Sequence, residues 1–468
     1  MAAITPFELV LITIAVAFGT IWTAVNFYHL YPYLQYFVVA KLFGSDPDVY
    51  TRLPEDTDRT DLPSIDVLVP AYEEGNVIDQ AIGSIRRANY PTELLRIHVL
   101  VEPDDEDTRA ALASLADEYQ FQEVAIPARY EEIVVPEMYP GMPNKPRALN
   151  YGFDVSDGDV VGVIDAEDVV DPDLFLTVAN ALSTEGYDYL QGKLDMVNEG
   201  DGWKNLLFRA EYAFWFRLLV PSFFYVGYPV PLGGTTNFFK RETLERASEI
   251  RVEEYGSPWT EEQQAWFAEH GLSGSVPWDP RNVTEDFELG ILLWKEGFEM
   301  ALIDSVTREE SPLSVNGWIR QRTRWQKGKL YTFLQYLDYP PADRAAKFHG
   351  YFQSFLPHLA PINIVGIVVL TMIANSLDYD APLVVWLVLT LGLVFLVEMF
   401  VFHAWGYWRV TERRSPVREL LTVVVLVTLF AYWLLLWGAE IRAIRQLYAN
   451  QLHWEKTDHH GRNRSDEV

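Results

Sequence analysis

The chain contains no cysteine, which excludes disulfides and cysteine-ligated metals. Basic residues are scarce: 37 Lys and Arg stand against 66 Asp and Glu, a formal charge of -29. A nucleic-acid partner needs a basic face to meet its phosphates, so this balance argues against one. Most of the few basic residues are Arg. An acidic, lysine-poor surface fits a salt-rich cytoplasm, where ions screen self-repulsion, and points to a halophilic source; an ordinary acidic protein is the alternative. There is no internal repeat and no long low-complexity linker. The first apolar stretch, Phe7 to about Tyr28, lacks a basic n-region and a small-residue cleavage site, and it reads as a retained anchor.

Long apolar runs, by contrast, are present. Three more lie near the C-terminus, at about Phe355–Asn375, Pro382–Ala404 and Leu420–Trp437, each approaching the roughly 20 residues a spanning helix needs. Buried core helices are the alternative, and Glu398 is the main charge among them. Arg409, Arg413, Arg414 and Arg418 between the second and third runs predict a cytoplasmic loop. The short Ser376–Ala381 connection, with Asp378 and Asp380, then faces outside, and the large domain lies in the cytoplasm. If Leu420–Trp437 crosses fully, the Trp454–Thr457 tail emerges outside, against the weak counter-signal of Arg442 and Arg445; one run is then re-entrant or interfacial. The expected units are 1–45 (anchor and connector), 46–310 (one large domain), 311–350 (amphipathic interfacial segment), 351–445 (membrane block) and 446–468 (polar tail).

The large domain alternates β-rich runs with helical patterns. Ile65–Val69, Ile97–Val101 and Val160–Ile164 read as strands, and Val77, Ile78, Ala81, Ile82 and Ile85 have helical spacing. Strand, helix, strand in this order predicts an α/β domain with a largely parallel sheet, in which function collects where strands end.

The polar clusters fall at those ends. Pro70-Ala71-Tyr72-Glu73-Glu74 follows the first strand, where an aromatic and a carboxylate can hold a base, or simply form a polar turn. Glu102 and Asp105 follow the second strand; a solvated acidic turn is the plain reading. Asp165-Ala166-Glu167-Asp168 follows the third. Carboxylates there suit a hard cation shared with phosphate oxygens, Mg²⁺ or Mn²⁺, with Asp165 and Glu167 as the metal-side pair and Asp168 the alternative; a helix N-cap is the rival use of Asp168 or Asp171. Lys145 and Arg147 could neutralise phosphate or pair with carboxylates. Gly233-Gly234-Thr235-Thr236-Asn237 follows the aromatic-rich stretch 214–228. Gly234 permits close backbone approach and Thr235 offers a hydroxyl to an acceptor, with a plain turn as the alternative.

Thr284-Glu285-Asp286 opens a helical pattern, with Thr284 a possible N-cap. Partial burial beside Glu285 would raise the proton affinity of Asp286 toward that of a useful general base. In Gln321-Arg322-Thr323-Arg324-Trp325, residues Gln321, Arg324 and Trp325 share one helix face. Arg324 can grip a diphosphate and Trp325 offers a flat surface to a sugar ring; an amphipathic helix on lipid headgroups is the competing or coexisting reading.

Taken in order, these motifs resemble the family 2 inverting glycosyltransferases, specifically the membrane-integrated group around cellulose and hyaluronan synthases, over roughly residues 64–330. Pro70–Glu74 is similar to the family's nucleotide-binding opening, and Glu102 and Asp105 to its second acidic nucleotide contact. Asp165-Ala166-Glu167 resembles its metal-binding DxD, with Glu replacing the second Asp. Thr284-Glu285-Asp286 matches TED, and Gln321–Trp325 matches Q(Q/R)xRW. Trp454-Glu455-Lys456-Thr457 is similar to a tail of many bacterial and archaeal relatives. The resemblance implies a GT-A fold inserted between an N-terminal transmembrane helix and a C-terminal block of transmembrane and interfacial helices. It implies a nucleotide-diphosphate sugar donor (a UDP-sugar favoured) and Mg²⁺ or Mn²⁺. It further implies Asp286 as catalytic base, with Lys145 and Arg324 on the leaving diphosphate, and a polysaccharide or lipid-linked acceptor. Other classes remain as rivals: a transporter or channel with a nucleotide-sensing domain, which the sparse polarity of the runs disfavours, or an inactive binding subunit.

Overall fold

The computed structural model describes residues 27–36, 49–55, 61–121, 130–141, 143–196, 203–358 and 434–449, with isolated positions elsewhere, Tyr432, Gln451 and Glu455 among them. Eight strands form one sheet: β1 (Tyr50–Thr51), β2 (Ile65–Ala71), β3 (Leu95–Val101), β4 (Tyr130–Val134), β5 (Val160–Val163), β6 (Tyr189–Met196), β7 (Asn237–Lys240) and β8 (Met300–Glu309). Their spatial order is β1-β8-β6-β7-β5-β2-β3-β4. Five of the seven neighbouring pairs are parallel; β7 is inserted antiparallel between β5 and β6. The sheet is therefore mixed, and the largely parallel expectation holds for the β5-β2-β3-β4 half.

The central strands are apolar on both faces because both faces are covered. Ile65, Val67 and Val69 of β2 pack with α1 (Ile78–Arg86) and α4 (Leu174–Ala179), through Ile78, Ile82, Leu174 and Phe175. Leu68 and Leu100 point the other way, into a cluster with Leu149 and Phe153 of α3 (Lys145–Val155) and Leu244 of α7 (Arg241–Tyr255). Asp66, the polar interruption in β2, is fully buried and satisfied by Arg96 (2.6 and 3.0 Å) and the Gly158 N–H (2.6 Å).

A third cluster carries the helical side of the molecule. Leu207 and Phe208 of α5 (Trp203–Phe214) and Trp318 of α10 (Val315–Asp338) pack with Tyr28, Tyr33, Leu356 and Tyr432. The segment expected to lie as an interfacial helix is thus α10, built into the protein with Trp318 completely buried. Among the described residues no helix is long and apolar enough to cross a membrane. The four apolar runs fall mostly outside the described residues.

Candidate active site

Parallel strands β3, β2 and β5 lie side by side, so their carboxyl ends share one edge, at Val101, Ala71 and Val163. The loops leaving that edge carry Tyr72, Glu102 and Asp165. The antiparallel β7 starts beside the end of β5, pairing Asn237 with Val163, which delivers the glycine loop to the same edge. This is the crevice position in which open α/β sheets bind ligands.

A cavity of about 670 Å³ opens there. Pro70, Tyr72, Glu74, Glu102, Lys145, Asp165, Glu167, Gly234, Glu285, Asp286, Gln321, Arg324 and Trp325 all line it. Two of the residues expected at the site do not. Asp105 is buried and accepts from the Glu73 N–H (2.7 Å) and the Thr108 N–H (3.1 Å), so it shapes the turn after β2, where Glu73 takes φ 53°. Thr235 is turned inward. Its hydroxyl donates to Asp168 Oδ2 (2.5 Å) and accepts from the Asp165 N–H (3.1 Å), leaving it to brace the Asp165 loop from behind rather than face an acceptor. Asp168 is fully buried by this bracing and absent from the cavity wall. Burial, followed by Glu309, Glu167 and Asp165, holds its carboxyl well above the ordinary range. Of the two alternatives beside Asp165, Glu167 is the one that reaches the cavity.

Lys145 is the first residue of α3. Asn144 caps that helix by accepting from the Arg147 N–H (2.9 Å) and is pinned by its own donation to the Pro280 carbonyl (3.0 Å). Lys145 Nζ donates to Asp165 and to the Gly234 carbonyl (2.8 Å). Burial works against its charge, yet Asp165, Glu285 and Asp286 hold it above the ordinary lysine value. Arg147, the other basic residue of this motif, does not face the cavity. It pairs with Glu102 (2.8 and 2.6 Å) and donates to the Pro136 carbonyl (2.7 Å), so Glu102 stands at the wall already paired.

Glu285 and Asp286 begin α9 (Glu285–Lys295). Thr284 occupies the N-cap position, but its hydroxyl does not cap the helix; it hydrogen-bonds Asn282 Oδ1 (3.3 Å). Gly328 of α10 explains the crowding: a Cβ there would lie 2.2 Å from Thr284 Oγ1. The absent side chain lets α10 press on the start of α9 and so brings Arg324 to Asp286. Gly234 has a matching role on the opposite wall. Its φ is +80°, and a Cβ would meet Asp286 Oδ2 at 3.3 Å. Burial pushes Glu285 up to about 7, with Asp286 adding to the shift and Lys145 opposing it. Asp286 is raised as well, first by burial, against Lys145 and Arg324. Burial draws the Arg324 guanidinium below its ordinary value, while Glu285, Asp165, Asp286 and Glu167 act in the opposite sense. The four carboxylates and this guanidinium thus sense one another across a single space.

The two arginines of the QRTRW motif divide. Arg322 forms a paired contact with Glu211 (2.9 and 2.6 Å) and stacks on Trp325, 4.3 Å from its ring centroid. Tyr432 adds a bond to Glu211 (2.6 Å). Arg322 therefore fixes the Trp325 ring. Sequence reasoning missed Glu211, Tyr212, Glu309, Glu310 and Lys329, all on the cavity wall. Lys329 had a signal, since it follows Trp325 by one helical turn. Glu309 ends a strand that the sequence pattern had not delimited.

Among the described residues no group of three or more His, Cys, Asp or Glu has a metal-binding arrangement. The donor set nevertheless suits an ion that draws most of its ligands from phosphate and water, because Mg²⁺ takes one or two carboxylates in such sites. Carboxylates outnumber cations around the cavity, so a diphosphate there calls for added positive charge.

Residues 63–328 match the profile of the glycosyltransferase like family 2. A probable glycosyltransferase, YdaM, of Bacillus subtilis is 23% identical over 414 residues, 86% of this chain and 89% of its own length. An N-acetylglucosaminyltransferase of Sinorhizobium fredii is 24% identical over 272 residues, and the chain spans only 57% of that relative's length. A beta-monoglucosyldiacylglycerol synthase of Trichormus variabilis is 21% identical over 280 residues, 59% of this chain and 51% of its own length. Among solved structures, a mannosyltransferase from Pyrobaculum calidifontis in complex with GDP-Man and Mn²⁺ covers 93% of this chain and 99% of its own, with a TM-score of 0.52 at 17% identity. That likeness speaks for the fold. With the family profile spanning more than half of its residues and a strand-end crevice of the matching architecture, the chain belongs to glycosyltransferase family 2 and has a GT-A-like α/β fold.

Proposed function

We propose that the protein is an inverting hexosyltransferase, carrying a sugar from a nucleotide-diphosphate sugar, a UDP-sugar first among candidates, to a polysaccharide or lipid-linked acceptor at the cytoplasmic face of a membrane. The observation that carries this reading is the convergence of Asp286, Lys145, Asp165 and Arg324 on one cavity.

Asp286, its proton affinity raised by burial, takes the acceptor hydroxyl proton. The acceptor oxygen forms its bond to the anomeric carbon from the face opposite the leaving group. The bond from that carbon to the diphosphate oxygen breaks, and the electron pair leaves with the diphosphate. Lys145 and Arg324 stabilise that developing charge, with Arg324 offering paired donors. Asp165 and Glu167 would hold Mg²⁺ or Mn²⁺, which supplies further positive charge to the diphosphate. Tyr72, Glu74 and Glu102 border the space for the nucleoside, and Trp325, held by Arg322, faces the acceptor sugar.

The membrane assignment rests on the four apolar runs and on the packing of residues that border them. His358, in the first C-terminal run, bonds Glu440, just after the last (2.8 Å). Lys327 of α10 donates to the Gln451 carbonyl (3.1 Å), and Glu455 pairs with Arg442. These contacts favour a tail on the face of the catalytic domain and an even number of crossings between His358 and Glu440, with one C-terminal run interfacial or re-entrant. The acid excess, in this reading, suits a salt-rich, halophilic cytoplasm.

The test is nucleotide diphosphate release by purified protein given individual nucleotide sugars with Mg²⁺ or Mn²⁺, beside Asp286→Asn. Release that depends on Asp286 supports the assignment. Equal rates in both proteins remove Asp286 as the base.

A further inference from the structure

Strand β6 buries a polar side chain that the transfer step above does not use. Gln191 is 1% exposed and follows Tyr189 and Leu190, both buried. Its amide is engaged at both ends. Oε1 accepts from the Gly233 N–H (2.7 Å), and Nε2 donates to the Thr235 carbonyl (3.1 Å) and the Gly192 carbonyl (2.9 Å). The side chain thus grips the glycine loop on either side of Gly234, as a neighbouring strand would. A buried amide destabilises unless its bonds are made, and an apolar residue at this position would need none of them.

The loop it grips is strained. Thr236 is buried with φ 53°, in the left-handed region that a β-branched residue rarely adopts. Such a conformation lasts only where its surroundings over-determine it, and it clusters at functional sites. Here the surroundings do so. The Thr236 N–H donates to the Val163 carbonyl (2.8 Å), its carbonyl accepts from the Gly192 N–H (2.9 Å), and its hydroxyl donates to Thr307 Oγ1 (2.7 Å). Gly192 adds a steric condition, since a Cβ there would lie 2.4 Å from Thr236 Cγ2. What this arrangement delivers lies at Gly234. The Gly234 carbonyl accepts from Lys145 Nζ (2.8 Å), and with Asp165 it fixes where that ammonium stands.

We propose that Gln191 is a positioning residue for the leaving-group cation: by holding Gly233 and Thr235 it fixes the Gly234 carbonyl between them, and so sets where Lys145 meets the donor diphosphate. This deepens the glycosyltransferase reading and rests on it. The covalent step is unchanged; Gln191 touches neither donor nor acceptor and acts through Gly234. Without its amide the loop loses the bonds that flank Gly234, the strain at Thr236 relaxes, and the carbonyl turns away from Lys145. An ammonium displaced in this way misses the charge that develops as the diphosphate departs. That charge is greatest in the transition state, so Gln191 acts on kcat more than on KM.

The experiment measures nucleotide diphosphate release, and the affinity for UDP and GDP in the presence of Mn²⁺, on the full-length protein in a neutral detergent. Gln191→Leu is expected to lower kcat by about ten- to a hundredfold with a smaller change in KM. It is expected to weaken nucleotide diphosphate binding by about tenfold, the worth of one charge-assisted hydrogen bond. Gln191→Glu gives the readout that a role in the fold alone would not move. A protonated Glu offers one acceptor oxygen and one O–H donor, as the amide does, and burial favours that form. The nucleotide diphosphate affinity of Gln191→Glu, taken as a ratio to wild type at each pH, is expected to approach one near about pH 5.5 and to fall by about tenfold toward about pH 8. Wild-type kcat and affinity in Gln191→Leu overturn the proposal, as does a Gln191→Glu ratio that does not rise as pH falls. Should Gln191→Leu fail to fold, that ratio decides alone. If wild type binds a nucleotide diphosphate while these effects are missing, only the positioning inference fails. If wild type binds neither UDP nor GDP, the reading of the cavity as a donor site fails with it.

Discussion

At one end of the cavity, Lys145, Asp165, Glu167, Glu285, Asp286 and Arg324 meet within a wall made by strand ends and helix starts. At the other end, Tyr33, Trp215, Leu219, Phe223, Leu356 and Leu436 meet on helical segments, four of them buried, with Lys329 beside Trp215. The first end is rigidly braced: Asp165 is bonded to Lys145 and Thr235, and Lys145 to the Gly234 carbonyl. The second is held mainly by packing, with Arg322–Glu211 and Tyr432 as its polar anchor. The contrast separates two tasks. Stabilising developing charge needs fixed dipoles and charges, which cost no reorganisation during reaction. Holding helices together needs complementary shape, which close-packed apolar side chains supply.

That division can be broken by substitution. The largest effect is expected at the charged end: Arg324→Ala lowers turnover by about 10² to 10³-fold, as for loss of a preorganised charge stabiliser, with little change in melting temperature. Initial-rate measurement of nucleotide diphosphate release reads it. Arg322→Ala, only two residues away, is expected to act chiefly on stability, by about 3 kcal/mol, because Glu211 is left without its paired donor and the Trp325 ring loses its support. Thermal denaturation in detergent distinguishes the two arginines; an inverted pattern would show that their assignments are exchanged. Gly328→Ala sits where the ends meet. Its methyl would clash with Thr284, costing about 1–3 kcal/mol and moving Arg324 relative to Asp286, so activity falls more than stability alone explains.

The smallest effect is a pH dependence. Glu285 is raised from 4.5 to about 7 in the folded protein, so the folded state binds more protons than the unfolded one between these values. Stability supplied by this group is full below about 4.5 and is lost as pH rises through about 7. Denaturation curves across that window should show stability falling with pH, and Glu285→Gln should flatten the slope. A slope unchanged by the substitution would place the proton elsewhere.

Much of the charged end was legible in the sequence because its signals are local. An apolar run followed at once by Asp165-Ala166-Glu167 marks a strand end, and Gln321, Arg324 and Trp325 declare a shared face by spacing alone. What the sequence concealed depends on partners far along the chain. Thr235 has the look of a loop hydroxyl open to a ligand, and only its bond to Asp168, 67 residues away, turns it inward. Asp105 belongs to a run of acids with nothing to distinguish the one that holds the preceding turn. Arg147 and Lys145 are two residues apart, yet helical geometry sends one to Glu102 and the other to Asp165. β7 was hidden because an antiparallel strand of four residues leaves little periodicity to read. The apolar end was invisible for a related reason: its residues come from segments that meet only in the folded chain, and aromatic side chains lining a cavity read the same in sequence as those filling a core.

The central claim is that donor diphosphate, base and cationic clamp share the charged end. It is met most directly by an experimental structure with Mn²⁺ and a nucleotide diphosphate, with the metal located by its anomalous scattering. The account predicts Mn²⁺ at Asp165 and Glu167, the diphosphate within reach of Lys145 and Arg324, and Asp286 across the space left for the sugar. Mn²⁺ and diphosphate bound elsewhere, with Asp286 and Arg324 facing no common ligand, would contradict it.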